Sequence, residues 1–154
     1  MLNQIKEIVE EALYRIDGYS DDALVLVLRT GQVESKYKAL RQYGDGPAIG
    51  FWQVEPATAE DIWKNYIAYR PHYEKAMLSL GYDPENLEFS LLSNIAVQAA
   101  FCRFKYKRDK NPIPSWDDLK AQGEYWKKVY NTYLGKGTVE HFIKANEGLF
   151  STNS

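Results

Sequence analysis

The sequence predicts a mainly α-helical fold, one domain over residues 1–154, with a small hairpin in the 36–54 region. Three observations carry that expectation. Apolar residues recur at helical spacing, capping residues precede most of those runs, and no alternating apolar–polar run exceeds four residues. No repeat or low-complexity stretch divides the chain, which is long enough to bury a proper core.

Taken in order, Leu2, Ile5, Val9, Ala12 and Ile16 form one face of a first helix that ends at Gly18. Ser20 then caps a second helix, with Asp21 and Asp22 in the first turn where the helix dipole favours acids. Its body, Ala23–Leu28, is apolar on every side, which marks it as a core element running on to Glu34. Tyr43–Gly50 is turn chemistry, with three glycines and a proline. Thr58-Ala-Glu-Asp61 reads as a capping box opening a helix with Ile62, Trp63, Tyr66 and Ile67. A short helix follows around His72–Leu80. Residues 90–106 then read as one long central helix, with Leu91, Leu92, Ile95, Ala96, Ala99 and Phe104 inward. Asn111-Pro-Ile-Pro114 breaks it, and Ser115-Trp-Asp-Asp118 reads as a second capping box for a helix holding Leu119, Trp126 and Tyr130. Gly135 to Gly137 end that helix, and Thr138 caps a last short one.

Composition narrows the function classes. A hydrophobic content of 45% excludes a disordered chain. Twelve Tyr, six Phe and four Trp serve two purposes: filling a helical core, and lining a carbohydrate cleft where flat rings stack on sugar faces. The single cysteine, Cys102, sits among apolar residues as an inert thiol. His72 and His141 lie far apart without partners at ligand spacing, so neither a metal site nor a cofactor is expected. No run of 18 apolar residues predicts a transmembrane segment. The N-terminus is amphipathic and acidic, not a signal peptide. The net charge of −2 is uneven: residues 1–102 carry −6, residues 103–136 carry +5 and the tail −1. The basic stretch is one that meets anionic polymers.

One residue draws chemistry to itself. Glu34 closes the apolar second helix, before a Gly/Pro-rich loop and the group Gly50-Phe51-Trp52-Gln53. Cleaving a glycosidic bond requires protonating a poor leaving oxygen, and a free glutamate is ionised at neutral pH. Burial among Leu and Val side chains raises its pKa by disfavouring the charged form, and the helix C-terminus acts in the same direction.

Glu34-Ser35, Gly50-Phe51-Trp52-Gln53, Asn94-Ile95-Ala96 and Val129-Tyr130-Asn131 occur in the order of the active-site motifs of soluble lytic transglycosylases, and the chain resembles that family over roughly residues 20–145. The resemblance implies a lysozyme-like fold, shared with goose-type lysozymes, and an activity on peptidoglycan glycan strands at the MurNAc–GlcNAc bond. Carried over, Glu34 is the general acid and then the general base. Tyr130 positions Glu34 or the substrate, with Asn131 supporting it, and Ser35 pairs with the acid. Gln53 bonds the sugar near the cut, Gly50 lets the backbone approach the glycan, and Phe51 belongs to the same substrate-binding group. The chain departs from the pattern at Glu55, where the family has an aliphatic residue or Met. It departs again at Gly44-Asp45, where many members have a serine, and after Asn131, which is followed by Thr-Tyr-Leu-Gly-Lys-Gly-Thr.

This style resembles the divergent branch of phage virion and lysis proteins. Such proteins are made in the host cytoplasm without a signal peptide and act on the cell wall, through a holin pore or from the infecting particle. Glu55 has two readings: a second carboxylate that activates water, as in inverting glycosidases, or an acid favoured at a helix start before Pro56. Two other functions stand beside the enzyme. One is a virion structural protein that keeps the lysozyme-like fold without activity. The other is a nucleic-acid or polyanion module using the bases and aromatics of Phe101–Arg108, although the acidic balance of the chain makes no nucleic-acid partner the expectation.

Overall fold

The computed structural model describes residues 1–38, 40–41 and 46–151. It is all-helical in its regular structure. The first helix, α1 (Leu2–Arg15), buries Ile5, Val9, Ala12 and Leu13 on one face. Its end is closed by Gly18, whose N–H donates to the Leu13 carbonyl at 2.8 Å.

The second helix, α2 (Asp21–Ser35), is buried on all sides from Ala23 to Gly31. The Ser20 side chain accepts from the Ala23 N–H at 3.0 Å, so the cap acts as the sequence predicts. Lys36, in the left-handed region at φ 54°, stops the helix directly after Glu34-Ser35.

The loop after α2 is held by single bridges in place of a hairpin. Arg41 pairs with Ile49, and Ile49 with Val54, as isolated antiparallel bridges among the described residues. Ile49 and Val54 exchange both backbone bonds, at 2.9 and 3.1 Å, across a tight turn with Gly50 at φ 82° and Gln53 at φ 51°. Of the predicted turn, Tyr43, Gly44 and Asp45 lie outside the described residues.

The third helix, α3 (Pro56–Asn65), starts two residues before the expected box. Pro56 sits at the first helical position, where its missing N–H has no intrahelical partner to lose. Thr58 therefore lies inside the helix, and Glu55 is the capping residue. After a 3₁₀ turn at Ile67–Tyr69 comes α4 (Pro71–Ser79).

The expected central helix is two helices. The fifth, α5 (Leu87–Ser93), and the sixth, α6 (Ile95–Lys107), meet at Asn94, whose backbone is extended (φ −120°, ψ 102°). Asn94 accepts from the Val97 N–H at 3.0 Å and donates to the Leu80 carbonyl at 2.8 Å. A side chain that caps a new helix and ties a distant turn outweighs one more helical residue.

The seventh helix, α7 (Leu119–Tyr125), is capped by Asp118, not Ser115; Asp118 accepts from the Ala121 N–H, while the Ser115 hydroxyl donates to Asp117. It continues as a π-helical turn over Trp126–Asn131, closed by the Thr132 N–H donating five residues back to Lys127. The last helix, α8 (Val139–Asn146), is capped by Thr138 as expected.

Helix α1 packs along α6, while α2 runs through the centre against α1, α6 and α8. Helices α3 and α5 flank α6, and α7 pairs with α8. Among the described residues no helix is long and apolar enough to cross a membrane.

Asn94→Ala should lower unfolding stability by about 1–2 kcal/mol, since it removes a cap and the tie to Leu80 together. Urea denaturation of the two proteins checks this, with the m-value unchanged.

Candidate active site

The last turn of α2 delivers Glu34 to a cleft made of two adjoining cavities, of about 560 and 500 Å³. Glu34, Glu55, Asn131, Leu134 and Gly135 line both. Lys105, Gln53, Thr58 and Tyr130 close one side, and Trp126, Lys136 and His141 the other. A smaller cavity of about 310 Å³ lies elsewhere, between Asp22, Arg103, Asp109 and Tyr125.

Glu34 is half-buried by area, and its Oε2 accepts a hydrogen bond from the Trp126 Nε1–H at 3.1 Å. Burial pushes its pKa up to about 7. The Trp126 donor and the positive charge of Lys105 act against that rise, because both favour the carboxylate. The acid is thus poised between its two charge states near neutral pH, as general acid–base chemistry needs.

Lys105 itself is held tightly. Its ammonium donates to the Tyr130 carbonyl at 2.9 Å and lies 4.0 Å from the centre of the Tyr130 ring. Burial lowers its pKa, while Cys102, Glu34 and Glu55 oppose the change.

The turn carrying Gln53 is pinned to the core by Trp52, fully buried, whose indole N–H donates to the Val27 carbonyl of α2 at 2.8 Å. The Tyr130 hydroxyl donates to the Trp52 carbonyl at 2.5 Å. Tyr130 is thereby committed to holding the turn, and the donor on Glu34 is Trp126. Gln53 lines the cleft and donates its side-chain amide to the Gly50 carbonyl at 2.8 Å.

Of the residues singled out in the sequence, Glu34, Gln53, Glu55, Tyr130 and Asn131 come together at the cleft. Ser35, Gly50 and Phe51 do not line it. Ser35 is buried, with its hydroxyl donating to the Gly31 carbonyl at 3.3 Å and accepting from the Tyr37 N–H at 3.0 Å. Gly50 is required by the protein itself: a Cβ there would stand 2.7 Å from the Gln98 side chain, and its φ is positive. Phe51 offers its N–H to Gln98 Oε1 at 3.0 Å and its ring to the edge of Tyr37. These three shape the wall from behind. Glu55 is exposed at the start of α3, makes no capping bond and faces the cleft, so both of its readings describe its position.

Sequence reasoning missed Lys105 and Trp126 as neighbours of the acid. Lys105 belongs to the basic stretch expected to meet anionic polymers, yet it follows the buried Phe101 by four residues and so shares its helix face. The rest of that stretch is also engaged. Arg103 donates to the Gly18 carbonyl, Lys107 to the Tyr73 hydroxyl, and Arg108 pairs with Asp61. Phe101, Phe104 and Tyr106 are buried, so the rings that base stacking would use are not at the surface. Among the described residues, no three His, Cys, Asp or Glu side chains converge as metal ligands.

No family model, curated protein or solved structure matches the chain.

The raised pKa has a consequence for stability. An acid whose folded pKa lies above its unfolded value stabilises the fold while protonated, and that contribution is lost as pH rises from about 4.5 through about 7. Glu34→Gln should therefore be more stable than the parent above pH 7, by up to ~3 kcal/mol, with the difference gone below pH 4.5. Thermal or urea unfolding at pH 4 and pH 8 measures it.

Proposed function

We propose that this protein is a muramidase of the lytic transglycosylase type, built on a lysozyme-like variant of its all-α fold. It cleaves the β-1,4 bond between N-acetylmuramic acid and N-acetylglucosamine in peptidoglycan. One observation carries the reading: an acid raised to about 7 by burial opens onto a cleft of two adjoining cavities. Gln53, Tyr130 and Asn131, which occur in the order of the family's motifs, lining the same cleft supports it. So does Leu134, which lines both cavities and is 80% exposed, an apolar surface open to a sugar ring. The divergent style of the motifs supports a phage lysis or virion-associated role.

In this reaction protonated Glu34 gives its proton to the glycosidic oxygen as the bond from the muramic C1 breaks. The sugar carbon becomes cation-like, and the carboxylate left behind is stabilised by the Trp126 N–H and the Lys105 charge. The muramic C6 hydroxyl then attacks C1 and Glu34 takes its proton. The product is a 1,6-anhydro end, the acid is restored, and no water is consumed. A hydrolytic outcome has one observation in its favour, the carboxylate of Glu55 in the same cleft. Acting as a base on water, it would give a reducing end.

Digestion of purified peptidoglycan, with mass spectrometry of the released fragments, tests both routes. Anhydro-muropeptides are expected, and Glu34→Gln should cut turnover by about 100-fold or more while keeping glycan binding. Reducing ends would move the reaction to Glu55. No release from walls of several types would leave a structural or binding protein.

Leu134→Ala should raise KM several-fold with kcat nearly unchanged, because its exposed side chain offers the glycan only apolar contact. Steady-state kinetics on a soluble glycan substrate reads the difference.

A further inference from the structure

The lip that follows the π-helical turn, residues 132–137, is packed against the groups that hold the acid. Lys127 staples it from below: the ammonium donates to Asn131 Oδ1 at 2.7 Å and to the Gly135 carbonyl at 3.1 Å. At the far end of the lip Gly137 lies on the edge of the Trp126 indole, where an added Cβ would stand 2.4 Å from Cη2. Phe142 of α8 covers the indole from another side, with ring centres 5.4 Å apart. The indole is buried and also lines the cleft.

Gly137 is not in the left-handed region, so its backbone accepts any L-residue. What meets a side chain there first is the indole, with Asn131 Nδ2 next at 3.1 Å. The glycine is thus explained by the close approach of lip and Trp126, the residue whose N–H Glu34 accepts.

We infer that Gly137 is a positioning residue for Glu34, acting through Trp126: the lip sets the indole, and the indole sets the carboxyl. This rests on the proposed role of Glu34 as general acid. The other groups around the carboxyl come from separate elements: Lys105 on α6, Glu55 at the start of α3, Tyr130 on the π-helical turn, His141 on α8 and Lys136 on the lip. Gly137→Ala replaces none of them; besides the indole, the added Cβ would meet Asn131, and a shift passed through Asn131 would add to that of Trp126→Phe. Displacing the indole weakens a hydrogen bond that favours the carboxylate, so the protonated form persists to higher pH.

The test is the titration of Glu34 followed by NMR of its carboxyl carbon, assigned with Glu34→Gln, in the parent, Gly137→Ala, Trp126→Phe and the double variant. Each single variant should move the midpoint upward from about 7, by about half a unit or more. The double variant should move it no further than Trp126→Phe alone, because both changes act on one contact. In peptidoglycan cleavage the alkaline limb of the pH profile should move the same way, and kcat should fall about 10-fold with KM little changed.

An unmoved midpoint in Gly137→Ala, or shifts that add in the double variant, overturns the inference. If the parent protein cuts no peptidoglycan while the coupled shifts are seen, the positioning stands and the proposed enzyme function falls.

Discussion

A helix with no polar face has to be covered everywhere, and α2 imposes that requirement on the whole molecule. From Ala23 to Gly31 every residue is buried, so α1, α6 and α8 must enclose it. Only at its last turn does the cover open, and Glu34 stands at the opening. The acid's burial is therefore set by the same packing that forms the core. Its pKa follows from where the helix ends.

Burying α2 also buries the polar groups it carries. Arg29 sits inside at 5% exposure without an ion-pair partner among the described residues, bonded to the Trp116 carbonyl at 2.8 Å and to Gln122 at 2.9 Å. Gln122 in turn donates to the Pro114 and Asp22 carbonyls, and Asn146 to the Arg29 carbonyl. Burial lowers the Arg29 pKa, and neutral acceptors keep the guanidinium hydrogen-bonded. Among the described residues Arg29 Nε and Asn146 Oδ1 have no partner, so the network is incompletely satisfied there. It lashes α7, α8 and the chain's C-terminal stretch to α2, and so positions the π-helical turn that follows α7.

The cleft is assembled from both directions of this arrangement. Trp52 anchors the Gln53 turn to α2, and Tyr130 ties the same turn to the π-helical segment. The wider π spacing places Trp126 against Glu34 and Tyr130 against Trp52 from one short element. Such turns recur at functional sites because they re-aim side chains that a regular helix would spread around its axis. One element thereby supplies the acid's donor and one wall of its cleft.

Sequence periodicity and caps by themselves determined the helical class, the core character of α2, the caps at Ser20 and Thr138 and the place of Glu34 at a helix end. These are local properties, decided by residues within a few positions of one another. Periodicity did not reveal the break at Asn94, because the decisive bond goes to Leu80, nor the start of α3, where Pro56 outcompeted a plausible box. For the site, residue types pointed to Glu34, Gln53, Tyr130 and Asn131. They did not point to Trp126 and Lys105 as the acid's partners, or to Ser35, Gly50 and Phe51 as groups behind the wall. Those assignments depend on contacts across tens of residues, such as Trp126 with Glu34 and Phe51 with Gln98. Only the tertiary structure decides which polar atom meets which, since hydrogen bonds require a specific distance and direction that no linear pattern encodes.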